Sequence, residues 1–106
     1  MNHGLPEKVV AQICAVLSEH AEVEKVILYG SRAKGNYKPG SDIDLTLLGS
    51  ALTPKILGQI QSEFDDGPLP YRCDLSIFSK ITTPDLLDHI QRVGVVFYEQ
   101  KLASAK

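Results

Sequence analysis

The stretch from Gly30 to Leu45, GSRAKGNYKPGSDIDL, constrains this chain more than any other. An apolar run, Val26-Ile27-Leu28-Tyr29, precedes it and predicts a buried strand that Gly30-Ser31 ends. After a polar loop come Asp42 and Asp44, one residue apart, then Leu45-Thr46-Leu47-Leu48. Side chains of an extended strand alternate faces, so a strand over residues 41–48 puts Asp42 and Asp44 on one face and Ile43 and Leu45 on the other. Two carboxylates on one face repel each other and lose hydration. They are tolerated at an open rim or around a cation, and Mg²⁺ takes carboxylate oxygens while keeping water or phosphate oxygens as its other ligands. Gly30 has no Cβ, which permits a sharp turn and close approach of a ligand to the backbone. Ser31 is expected to cap a short helix over residues 32–34, and backbone N–H groups at a helix start suit phosphate. Arg32 and Lys34 add positive charge that either meets phosphate or is simply solvated.

The rest of the chain supplies a frame for that stretch. Leu5, Val9, Ile13, Val16 and Leu17 follow helical spacing, which predicts an amphipathic helix over residues 6–20, with Pro6 in the first turn. Residues 23–29 form the first strand, whose continuous apolar end suggests cover on both faces. Thr53-Pro54 opens a second long helix with Ile56, Leu57, Ile60 and Phe64 as its buried stripe, ended by Asp65-Asp66-Gly67-Pro68. Thr83-Pro84 opens a third, with Leu86, Leu87, Ile90 and Val93 inward, stopped by Gly94 before a strand-like Val95 to Tyr98. The fold class is therefore α/β (α+β): a small mixed β-sheet with helices packed against it. At 106 residues one domain over 1–106 is expected, with a frayed tail over residues 101–106. His3 and His20 are expected at the surface and are assigned no role.

A third carboxylate completes the pattern. Residues 72–78 read as a strand with Cys73, Leu75 and Ile77 on one face. Asp74 interrupts it, and Asp is disfavoured in strands without a purpose. An edge position paired to Arg72 or a lysine would explain it. If this strand lies beside the second, Asp74 stands next to Asp42 and Asp44, and three convergent carboxylates would hold two divalent ions, as in-line phosphoryl or nucleotidyl transfer uses. A net charge of -2 does not indicate a nucleic-acid partner. No apolar run is long enough to cross a bilayer and no export signal is evident, so a cytoplasmic protein is expected, with Cys14 and Cys73 as buried reduced thiols.

These residues resemble the DNA polymerase beta-like nucleotidyltransferases. GSRAKG, its spacing to SDIDL, a later strand with a single Asp, and a helix leading to Gly-Val-Val-Phe-Tyr are similar to the minimal nucleotidyltransferase (MNT) subfamily over nearly the whole chain. The resemblance implies that Gly30 and Ser31 hold a nucleoside triphosphate, with the Arg32 charge beside them as a further nucleotide-binding candidate, and that Asp42, Asp44 and Asp74 bind two Mg²⁺ ions, with Asp74 also helping to activate an attacking hydroxyl. It implies transfer of a nucleoside monophosphate, typically AMP from ATP, onto a hydroxyl. Members of this size often accompany a helical HEPN protein as antitoxin and toxin, which makes a tyrosine of a HEPN partner the implied acceptor. A chain this short offers little wall around such a centre, so part of the site is expected from another chain, in a homo- or hetero-oligomer. The competing expectation is a nucleotide- and partner-binding module that acts by complex formation without turnover.

Overall fold

The computed structural model of the chain describes residues 4–100. The expected tail and His3 lie outside the described residues. Helix α1 spans Glu7–Ser18, strand β1 Lys25–Tyr29, the short helix α2 Ser31–Lys34, β2 Ile43–Leu48, α3 Pro54–Asp66, β3 Cys73–Ile77, α4 Pro84–Val93 and β4 Val95–Glu99. The strands form one mixed sheet in the order β3-β2-β1-β4. β1 pairs antiparallel with β2 and with β4, while β2 and β3 run parallel, α3 making the crossover between them.

Alternation along the strands decides which face is core. Val26 and Leu28 of β1, Ile43, Leu45 and Leu47 of β2, and Cys73, Leu75 and Ile77 of β3 are all buried. They join Val9, Ile13 and Leu17 of α1 and Ile60 and Phe64 of α3 in one cluster. The α3 stripe is thus as its spacing predicts, and the Thr53 hydroxyl accepts from the Ile56 amide at 3.2 Å, capping the helix. The other face of β1 is half-buried at Ile27 and Tyr29. There α4 lies across it: a Cβ at Gly94 would meet an Ile27 methyl at 2.8 Å, and the Tyr29 ring stands edge-on to His89. Cover on both faces, expected from the apolar run, is complete on the core side and partial on this one. His20 is not simply a surface residue either. Its Nε2 lies 3.0 Å from the Glu63 carboxylate and ties the end of α1 to α3.

No helix among the described residues is long and apolar enough to cross a membrane. Both cysteines are free thiols, Cys73 buried and Cys14 half-buried. Burial, first, and the Asp65 and Asp42 charges push the Cys73 thiol up to about 11, so it behaves as a small apolar core residue.

Candidate active site

The second face of the sheet, the one away from the main core, collects the acidic residues. Tyr29 is the register partner of Asp44 across the antiparallel ladder, and Asp44 is the partner of Asp74 across the parallel one. Register partners share a face, so Tyr29, Asp44 and Asp74 stand in a row across three strands, about 4.8 Å apart per strand. Two residues further along the parallel ladder, the Ser76 hydroxyl donates to Thr46 Oγ1 at 2.9 Å, which satisfies the fully buried Thr46. Burial, with the Asp44 and Asp74 charges behind it, pushes the Tyr29 phenol up, while Ser76 acts the other way.

Asp44 is the electrostatic centre of the row. It is half-buried, and desolvation followed by the Asp74 and Asp42 charges raises its carboxyl above the usual 3.8, with His89 acting the other way. Asp74 and Asp42 are exposed. Asp42 does not lie inside β2 as expected, because the strand begins at Ile43. The carbonyl before it is held instead: the buried Arg32 donates to the Ser41 oxygen from Nε at 3.1 Å and Nη2 at 2.9 Å. The Arg32 guanidinium lies 5.1 Å from both the Tyr37 and the Tyr71 ring centroids. At 2 % exposure Arg32 is a fixture inside the loop wall, so it is not one of the solvated charges that the sequence alone allows.

Gly30 ends β1 with φ 80°, a left-handed conformation that favours glycine. A Cβ there would overlap the Asp44 carboxylate, so the missing side chain brings the turn and the acidic row into contact. Gly30, not Ser31, is the cap position of α2. Ser31 is its first helical residue, and no side-chain bond caps the helix. Gly35 closes it at φ 89°. The structure therefore brings Gly30, Ser31, Asp44 and Asp74 together, and places Asp42 at the adjoining loop end. Sequence reasoning missed His89 of α4, whose Nε2 accepts from the Gly30 amide at 3.1 Å. Its signal was faint, a histidine flanking the apolar stripe of a helix.

The donor set is all hard oxygen, and its mutual repulsion is what a cation would relieve. Among the described residues no group of three acidic, His or Cys side chains closes into a ready-made metal cage. An open acidic row of this kind fits Mg²⁺ arriving with a nucleotide, since that ion binds through one or two carboxylates and completes its shell with phosphates and water.

The family model described as "Polymerase beta, Nucleotidyltransferase" matches residues 11–102. No curated protein matches the chain. Among solved structures, a toxin–antitoxin complex with AMP-PNP superposes with a TM-score of 0.68 at 18% identity, covering 93% of this chain and 77% of that one. A tri-AMPylated Shewanella oneidensis HEPN toxin in complex with MNT antitoxin gives 0.66 at 17% identity, covering 89% and 72%. A candidate nucleotidyltransferase from Sulfolobus solfataricus gives 0.55 at 23% identity, covering 87% and 78%. At these identities the likeness shows the fold: a mixed sheet with helices, as in the MNT-type proteins.

Proposed function

Given that the chain belongs to the polymerase beta nucleotidyltransferase family, we propose that it transfers AMP from ATP to a hydroxyl, the acceptor being a tyrosine of a HEPN toxin for which it serves as antitoxin. The observation that carries this reading is the register match of Asp44 with Asp74 against the Gly30 turn. It sets two carboxylates on one open face beside a backbone bend that a phosphate can approach. The similar complexes, one with AMP-PNP and one with an AMPylated HEPN toxin, support the substrate and the partner.

In this reading the acceptor oxygen bonds the α-phosphorus, the bond from that phosphorus to the α–β bridging oxygen breaks, and pyrophosphate leaves. Asp74, exposed and therefore reachable by a second protein, takes the hydroxyl proton. The Ser31 end of α2 holds the triphosphate, while Asp42, Asp44 and Asp74 hold Mg²⁺. When bound, Mg²⁺ neutralises charge on the phosphates and orients them for in-line displacement. Arg32 contributes from inside, by holding the Ser41 carbonyl and so the loop end that delivers Asp42. A second reading, a nucleotide- and partner-binding module without turnover, would use the same exposed Asp42 and Asp74 and the same bend.

Incubation with α-labelled ATP, Mg²⁺ and a HEPN partner separates the two. We expect label on the partner, and with Asp74→Asn a loss of transfer of about 100-fold or more while ATP affinity changes only a few-fold. Tight complex formation with no label transferred, across several nucleotides and partners, would establish the second reading.

A further inference from the structure

His89 sits on α4, away in sequence from the signature stretch, yet it touches that stretch at its bend. Gly30 lies one residue past the last paired residue of the β1–β2 ladder, Tyr29, and two past the last of the β1–β4 ladder, Leu28. Its amide has no strand partner and finds the imidazole instead, Nε2 accepting at 3.1 Å. The ring is half-buried and stands at 79° to the Tyr29 ring, with centroids 6.2 Å apart, so packing restricts its orientation. In the neutral ring, an Nε2 that accepts keeps its lone pair, which places the ring proton on Nδ1. The apolar stripe of α4 is complete without this residue, since Leu86, Leu87, Ile90 and Val93 supply it.

We propose that His89 is a positioning residue of the nucleotide site, fixing the Gly30 amide and thereby the direction in which the Ser31 end of α2 meets the triphosphate. This deepens the nucleotidyltransferase reading and rests on it. The consequence is specific. Gly30 serves the site by lacking a side chain, and its amide is engaged by the protein, so phosphate contacts fall to the amides that follow. The α4–β1 packing then sets nucleotide affinity even though α4 contributes no carboxylate to the row.

Two variants test this. His89→Leu keeps apolar volume against Tyr29 and deletes the acceptor, while His89→Gln places an amide oxygen near the position of Nε2. Gly30 amide hydrogen exchange, followed by NMR, should quicken in His89→Leu and return toward the wild-type rate in His89→Gln. ATP affinity in the presence of Mg²⁺, read by calorimetry, should fall about tenfold in His89→Leu and recover to within about threefold in His89→Gln. Thermal melting shows that each variant is folded. If His89→Leu exposes the Gly30 amide but binds ATP as tightly as wild type, the positioning role is overturned and the nucleotide reading stands. Equal weakening in both variants, with Gly30 still protected in His89→Gln, also overturns it. Wild type that binds no nucleotide sinks the nucleotidyltransferase reading itself, whatever the Gly30 amide does.

Discussion

Asp44 carries a conflict that a cation is suited to resolve. Its carboxylate is half-buried, faces Asp74 across the ladder and feels Asp42 from the loop end, and its pKa is raised above 3.8 by burial first and by those charges second. The folded protein therefore holds the Asp44 proton more firmly than the unfolded chain does. That share of stability is complete below pH 3.8 and is lost as pH rises through the raised folded value. In the metal-free protein with chelator present, Asp44→Asn should melt higher at neutral pH, by roughly 1–3 °C for a half-exposed charge screened by solvent. It should also flatten the acid side of the melting profile, and transfer should fall by orders of magnitude. Melting curves between about pH 3.5 and 7, with transfer assayed in parallel, check both. A variant less stable than wild type at neutral pH would contradict the repulsion described.

At the scale of elements, the loop between α2 and β2 owes its order to Arg32. An arginine within a run such as GSRAKG reads as a charge for phosphate or solvent, because nothing local reveals Tyr37 and Tyr71 flanking it or the Ser41 carbonyl in front of it. Only the return of the chain after the loop, and the arrival of residue 71 before β3, bring those groups together. Arg32→Lys keeps the charge but loses the two-nitrogen grip on Ser41 and the flat stacking surface. We expect a stability loss of about 2 kcal/mol in urea denaturation. The loss in transfer should exceed that in ATP affinity, since the loop end bearing Asp42 is what loosens. Boundaries moved for related reasons. β2 starts at Ile43 because pairing with β3 begins there, and α2 starts at Ser31 because the left-handed Gly30 already makes the turn.

For the whole molecule, the sheet order β3-β2-β1-β4 is the decisive fact. It puts β2 in the middle, so Asp44 has Tyr29 on one side and Asp74 on the other, and it lets α4 cross β1 close enough for His89 to reach Gly30. The acidic row thus lies on a face that one helix covers only in part, as the proposed transfer to a second protein requires. Mg²⁺ and ATP added together should raise the melting temperature well beyond either alone. At about 100 times Kd the gain is near 2.7 kcal/mol, several degrees for a domain of this size. Chelation of the metal should erase it, as differential scanning fluorimetry would show; an ATP-induced shift that survives chelation would argue against metal-assisted binding.

The elements themselves, and the two faces of each strand, were set by local pattern, because apolar spacing and turn residues act over a few positions and compete with little else. Val26 and Leu28 against Ile27 and Tyr29 is period-two alternation that any pairing of β1 would respect. The glycine bend and the acidic pair after it were equally local. Tertiary structure alone decided that Asp74 lines up with Asp44, that Arg32 turns inward and that His89 holds the bend. Each of those contacts joins segments whose distance apart depends on strand order and register, and those follow from how the chain buries its core as a whole.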